Sequence, residues 1–182
     1  SLTSPILDDQ IVSGLRKTYD WYTIKQFSLV QAKRPPLDIT VKHVNLEKYY
    51  SALLKGHLLP SGTIRLRHQN QVSRLQGYDD GDWWIQDFSA ALPIKLLGNI
   101  DGMSALDVCA APGGKTMQLV SGGAKVTALD ISTKRANLLL DNLSRTKLQA
   151  NVKVDDFKAF DTENRFDIVL VDAPCSATGT IR

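Results

Sequence analysis

The sequence predicts an α/β fold: a parallel sheet in the C-terminal half, preceded by a small basic α+β unit and a helical N-terminal segment. Three observations carry this. From residue 104 onward, apolar runs of strand length alternate with helix-competent segments, the pattern of a parallel sheet with right-handed crossovers. One of these runs, Ala105-Leu106-Asp107-Val108, breaks at Cys109-Ala110-Ala111-Pro112-Gly113-Gly114 before a helical pattern resumes at Lys115-Thr116. Ahead of that half, residues 10–75 hold eleven basic residues against three acidic ones, a net +8, whereas residues 101–182 balance ten against ten. The expected segments are 1–33, 34–80 and 81–182.

Composition narrows the function classes. The 182-residue chain is 43% hydrophobic and 23% charged, with a net charge of +3, as in an ordinary globular protein. No apolar run approaches the ~20 residues needed to span a bilayer. The start, Ser1-Leu2-Thr3-Ser4, has no basic stretch followed by an apolar core, so no secretory leader is expected. The two cysteines, Cys109 and Cys175, make no disulfide framework and fit a reducing cytoplasm. The charge asymmetry suggests that the basic block meets a polyanion. A merely solvated basic face is the plainer alternative.

Taken in order, residues 8–32 read as helical, with Ile11, Leu15, Tyr19 and Tyr22 near four-residue spacing and Asp8 or Asp9 as cap. Arg34-Pro35-Pro36 stops this region. Leu37, Ile39 and Val41 alternate with Asp38, Thr40 and Lys42, which predicts a strand covered on one face. Asn45 is the expected cap of a helix with Leu46, Tyr49, Tyr50, Leu53 and Leu54 on its apolar face and Gly56 as its stop. Residues 63–67 form a second strand candidate, with Arg65 and Arg67 on a basic or simply solvated face. Gly77 to Asp82 reads as a turn. Trp83-Trp84 suits packing at a seam better than the gripping of a base. A helix with Phe88, Leu92 and Leu96 follows, which Pro93 should end early or kink. The four strands of the second half are expected at 104–109, 125–130, 151–155 and 167–172. Crossover helices are expected from Gly114 and over 133–148. The second is capped by Ser132 and buries Ala136, Leu139, Leu140 and Leu143.

Each of the four strands ends at or near a carboxylate: Asp107, Asp130, Asp155-Asp156 and Asp172. Ligands of open α/β sheets lie across these carboxyl ends. An acid after the second strand is placed to accept from ribose hydroxyls, and one after the third to reach an adenine amino group. A lone strand-end Asp is as often a cap for the next helix. Gly114-Lys115-Thr116 matches the end of a phosphate-binding P-loop, but Cys109 stands where that pattern needs glycine. A nucleoside triphosphatase is therefore the weaker reading. In Asp172-Ala173-Pro174-Cys175, the Pro-Cys sets a thiol at the rim of the cleft, or a small buried cysteine.

Together, Leu106-Asp107-Val108-Cys109-Ala110-Ala111-Pro112-Gly113-Gly114-Lys115-Thr116, Ala128-Leu129-Asp130-Ile131-Ser132 and Asp172-Ala173-Pro174-Cys175-Ser176-Ala177-Thr178-Gly179 resemble the S-adenosylmethionine-dependent RNA cytosine-C5 methyltransferases. The likeness is to the Sun/Fmu type, which modifies small-subunit ribosomal RNA, and Pro35-Pro36-Leu37-Asp38 and Trp84-Ile85-Gln86-Asp87 resemble its pre-catalytic segment. The resemblance implies a Rossmann-like class I methyltransferase core of strand order 3-2-1-4, incomplete and with an exposed apolar fourth strand. It implies that Cys109, Ala110, Ala111, Pro112, Gly113, Gly114 and Lys115 wrap the methionine and sulfonium end of S-adenosylmethionine. Asp130 would hold the ribose, and Asp156, or Asp155 one residue earlier, would sit near the adenine. Asp172 would lie between cofactor and target base, with Cys175 assisting product release. In the RNA enzymes the attacking thiol belongs to a later Thr-Cys motif, expected downstream of Arg182, so the chain is expected to be an inactive fragment of such an enzyme. In the DNA enzymes a Pro-Cys thiol is itself the nucleophile, which keeps that role open for Cys175. The alternative is a non-catalytic cofactor- or RNA-binding module. The implied partner is ribosomal RNA, with no membrane, no metal and a monomeric state.

Overall fold

A computed structural model of the chain describes residues 7–32, 35–67, 71–160 and 163–174. The N-terminal region is helical as expected and holds two helices, α1 (Asp9–Leu15) and α2 (Trp21–Gln31). The break follows from capping. Asp8 caps α1 through the Gln10 N–H at 2.8 Å, and Asp20 caps α2 through the Thr23 N–H at 2.7 Å. A side-chain acceptor at Asp20 favours a fresh helix start over continuation. Leu7, Val12 and Ile24 form the small core of this pair.

Pro36–Ala173 forms one compact unit that contains two four-stranded sheets. The first sheet comprises β1 (Leu37–Val41), β2 (Gly56–Leu58), β3 (Ile64–Leu66) and β4 (Trp83–Ile85) in the order β2-β3-β1-β4, all antiparallel. Helix α3 (Glu47–Leu53) packs on it. Trp83–Ile85, placed by the sequence at the head of the third segment, is thus an edge strand of this sheet. Both of its tryptophans are buried, which is the packing reading.

Several local expectations are corrected here. Strand β1 lies between two neighbours and is buried on both faces, so Asp38 and Thr40 are enclosed rather than solvated. Enclosure is tolerable for Asp38 because Arg65 Nε and Nη2 each donate to its carboxylate at 2.8 Å, and the Phe88 N–H adds a third bond at 3.1 Å. Burial works against this carboxylate, but Arg65 and the Phe88 N–H outweigh it and hold its pKa below the ordinary value. Arg65 is therefore committed to an internal ion pair rather than to a free basic face. Asn45 does not cap α3: residues 44–46 form a 3-10 turn, and Leu46 occupies the cap position without a side-chain bond. The helix is stopped by Lys55 in the left-handed region, and Gly56 begins β2, where a Cβ would lie 2.4 Å from Ile64 Cγ2. Helix α4 (Phe88–Lys95) runs through Pro93 instead of ending before it.

The second sheet is parallel, with β5 (Ser104–Val108), β6 (Lys125–Asp130), β7 (Asn151–Val154) and β8 (Ile168–Val171) in the order β7-β6-β5-β8. This is the expected 3-2-1-4 order. Crossover helices α5 (Gly114–Ser121) and α6 (Thr133–Thr146) begin at the expected residues, and Ser132 caps α6. Ala136, Leu139 and Leu143 are buried, but Leu140 is 48% exposed and leaves the expected apolar face. Val169 and Val171 on β8 are each 56% exposed, the apolar edge anticipated for the fourth strand. No described helix is long and apolar enough to cross a membrane.

The turn before β4 is fastened to the end of α6. Arg145 Nη1 donates to the carbonyls of Tyr78 (2.7 Å) and Trp83 (3.1 Å), and its guanidinium lies 4.1 Å from the Tyr78 ring centroid. Gly81, at φ +77°, sits so close that a Cβ there would lie 2.0 Å from the Arg145 carbonyl oxygen. Gly81→Ala is expected to destabilise the protein by about 2–3 kcal/mol, combining left-handed strain with a backbone clash. Urea unfolding checks this: the midpoint should fall with the slope unchanged.

Candidate functional site

The turn between β5 and α5 is built by its own side chains and by β6. Cys109 leaves the strand in the left-handed region at φ 61°, Ala111-Pro112 is a cis peptide, and Gly113 at φ 106° starts the helix. A side chain at Gly113 would strain the backbone and meet Leu139 Cδ1 at 2.3 Å, so glycine is required there. The Ala110 N–H donates to the Leu129 carbonyl at 3.0 Å. Ala111 is held at both ends: its N–H donates to Asp130 Oδ2 at 3.1 Å, and its carbonyl accepts from Arg135 Nη2. Asn142 Nδ2 holds the Pro112 carbonyl at 3.0 Å. Asp130 is 2% exposed, and its other oxygen accepts from the Ser132 N–H at 3.0 Å.

Three carboxylates stand at the carboxyl ends of adjacent parallel strands. Asp107 is the penultimate residue of β5, Asp130 ends β6, and Asp172 follows β8. Asp107 is 1% exposed. Its Oδ2 accepts from Thr116 Oγ1 at 2.5 Å, while its Oδ1 is buried with no hydrogen-bond partner among the described residues. Burial pushes its pKa up to about 6; the Thr116 hydroxyl and the Lys115 charge oppose this, and Asp172 adds to it. Asp172 is exposed and forms an ion pair with Lys115 Nζ at 2.7 Å. Asp155 and Asp156 follow β7 and are both exposed; Asp155 Oδ1 accepts from the Asp156 N–H, and Asp156 Oδ1 from the Lys158 N–H.

The predicted turn residues Cys109 to Lys115 are thus gathered with Asp130 and Asp172 at one edge of the parallel sheet. Asp156 stands at the end of the next strand along. Cys175 falls outside the described residues. Asp107 is the member whose part the sequence alone did not reveal, because a strand-end Asp has the same spelling whether it caps a helix or stays unpaired. Arg135 and Asn142, which fasten the turn from α6, carry no local signal at all. Among the described residues no cluster of His, Cys, Asp or Glu could hold a metal ion.

The chemistry of this edge is poor for a polyphosphate. The Ala110 and Ala111 N–H groups are already used, and two buried carboxylates lie beside them, so two donors of the turn are spent and its surroundings repel a polyanion. The same edge suits a ligand carrying positive charge and hydroxyl groups.

Comparison with known proteins agrees with this reading. Residues 94–182 match the family model described as 16S rRNA methyltransferase RsmB/F. The ribosomal RNA small subunit methyltransferase B of Cronobacter sakazakii (strain ATCC BAA-894) is 38% identical over 163 residues, which cover 82% of this chain and 38% of that protein. The chain therefore spans well under half the length of the curated relatives it matches. The crystal structure of PH0851 superposes with a TM-score of 0.82 at 23% identity, covering 97% of this chain and 44% of that one. NSun6 from Pyrococcus horikoshii, solved with SFG, gives a TM-score of 0.52 at 25% identity, covering 59% of this chain and 29% of that one. The parallel sheet has the strand order expected of a Rossmann-like core, and the chain shares its fold with the PH0851 structure.

The unpaired Asp107 oxygen has a consequence for stability. The folded pKa near 6 exceeds the ordinary 3.8, so the folded state holds the extra proton between those values. Stability contributed by this group is present below about pH 4 and is lost as pH rises towards 6. Asp107→Asn keeps an acceptor for Thr116 and removes the titration. Relative to the native chain, its urea midpoint should improve as pH rises from 4 to 7; a difference that stays flat with pH would refute the assignment.

Proposed function

We propose that this chain, whose residues 94–182 match the 16S rRNA methyltransferase RsmB/F family model, is a member of that family and that its strand-end turn binds S-adenosylmethionine. The proposed reaction is methyl transfer to C5 of a cytosine in small-subunit ribosomal RNA. The observation that carries this is the row of carboxylates Asp107, Asp130 and Asp172 across adjacent strand ends, with one buried oxygen lacking a partner. S-adenosylmethionine offers an ammonium, a sulfonium and two ribose hydroxyls, which are complementary to such a row. When bound, it supplies an electrophilic methyl group.

The residues divide the work by position. Asp107 Oδ1 accepts from the ligand ammonium, which removes the cost of an unpaired buried acceptor. Asp130 keeps spare lone pairs beyond its bonds to Ala111 and Ser132, and these accept from the ribose hydroxyls. The segment Cys109 to Lys115 lines the methionine end, with Gly113 and Gly114 permitting close backbone approach. Asp156, at the end of β7, takes the adenine amino group. Asp172, paired with Lys115, lies on the side of the target base. Because cytosine C5 is a poor nucleophile, a thiolate must first add to C6; after C5 takes the methyl group, loss of the C5 proton expels the thiolate. By resemblance the attacking thiol belongs to a Thr-Cys motif later in the family's sequence, and Cys175 assists release. The basic block of residues 10–75 is the proposed RNA-facing region, less the cations used internally: Arg65 on Asp38, and Lys42 on the Thr146 carbonyl at 3.0 Å.

Full-length protein incubated with methyl-labelled S-adenosylmethionine and small-subunit ribosomal RNA should yield 5-methylcytidine on nucleoside mass spectrometry. Label in a purine or in protein would overturn the reading. Cys175→Ala should keep methyl transfer and accumulate a covalent protein–RNA adduct; loss of transfer without an adduct would make Cys175 the nucleophile instead. RNA affinity should fall steeply between 50 and 200 mM salt, on the order of tenfold or more, if several cations meet phosphates. A flat salt response would remove the basic block from the interface.

A further inference from the structure

The segment Trp84-Ile85-Gln86-Asp87 has no part in the chemistry described so far, yet it is wired to the helix that carries the turn. Trp84 Nε1 donates to Gln86 Oε1 at 2.9 Å, Gln86 Nε2 donates to Gln118 Oε1 at 2.8 Å, and Gln118 Nε2 donates to the Ala91 carbonyl at 2.9 Å. All four residues are buried: Trp84 is 1% exposed, Gln86 5%, Gln118 6% and Ala91 0%. Each amide uses its oxygen to accept and its nitrogen to donate, so the chain runs in one direction from β4 through α5 to α4. Gln86 also lies beside the start of α5. Its Cγ lies 3.8 Å, and the Ile85 carbonyl oxygen 3.9 Å, from where a Cβ on Gly114 would stand. The backbone of Gln86 is fixed in turn, since its N–H donates to the Asp38 carbonyl at 3.1 Å.

Buried polar side chains are costly unless every group is matched, and a matched set admits one arrangement where apolar contacts admit many. Two glutamines in a helix–sheet interface add little that leucines would not, if filling space were their only task. We propose that Gln86 and Gln118 are positioning residues: through this relay the first sheet holds α5, and with it Gly113-Gly114-Lys115, in the place that accepts the cofactor. The inference rests on the reading of that turn as the S-adenosylmethionine site. It assigns no contact with cofactor or RNA to either glutamine.

The test is calorimetric binding of S-adenosylmethionine to the full-length protein, with RNA affinity and thermal melting measured alongside. Gln118→Met keeps the volume but leaves Gln86 Nε2 without its acceptor and removes the side-chain donor to the Ala91 carbonyl. It should weaken cofactor binding by about tenfold, the size of one lost buried hydrogen bond, with RNA affinity unchanged. Gln86→Glu supplies a readout that is not mere loss of fold. As a carboxylate it faces the Gln118 oxygen with no proton to donate, whereas the protonated acid, favoured by burial, restores the link. Its cofactor dissociation constant, as a ratio to the native protein's, should narrow from pH 8 to pH 6. Native cofactor affinity in both variants, or equal losses of cofactor and RNA affinity tracking a lower melting temperature, would overturn the relay. A native protein that binds no S-adenosylmethionine would instead overturn the reading of the turn, and the relay with it.

Discussion

Everything at the functional edge depends on how Ala111 is held. Its N–H is bound by the buried Asp130 carboxylate and its carbonyl by Arg135, so the two peptide groups flanking Ala111 are fastened to the end of the neighbouring strand and to the helix that follows it. Arg135 Nη2 also lies 3.6 Å from Asp130 Oδ2, which closes the group into a charge-balanced unit. Around this fixed residue, Cys109 and Gly113 take left-handed conformations, and α5 begins with a glycine in the cap position and no side-chain cap. The constraint trades phosphate-binding capacity for shape, because Ala110 and Ala111 spend their N–H groups on β6.

Asp107 shows the opposite balance. Its enclosed carboxylate is half satisfied by Thr116, and the other oxygen has no partner among the described residues. Such an arrangement costs stability in the free protein and becomes favourable when a cationic donor arrives. Asp107 and Asp130 therefore use the same residue type in the same topological position for different ends. Asp130 completes the turn, and Asp107 keeps one oxygen without a partner among the described residues.

Much of this was legible in the sequence, for physical reasons. Strand-length apolar runs ending in carboxylates, separated by a helix-length run capped by Ser132, have few other solutions than a parallel sheet, and Pro112-Gly113-Gly114 can only be a turn. The unread parts are those decided by distant partners. Asp38 alternates with apolar neighbours like a solvent-facing residue, and only Arg65, 27 residues away, makes its burial tolerable. Trp83–Ile85 is a three-residue strand, too short to show a period, and it exists through its pairing with β1. The break between α1 and α2 turns on Asp20, whose capping role competes with an apolar pattern that would equally suit one long helix. Likewise, nothing in the spelling of Gln86 or Gln118 distinguishes a buried relay from two surface amides.

The most direct measurement is a crystal structure of the full-length protein with S-adenosylhomocysteine. The ligand should lie across the carboxyl ends of β5 and β6, with its ammonium within hydrogen-bond distance of Asp107 Oδ1, its ribose at Asp130, and the Ala111 clamp unchanged. A ligand seated elsewhere, or a site that stays empty while a nucleoside triphosphate occupies the turn, would contradict the assignment of this edge to methyl transfer.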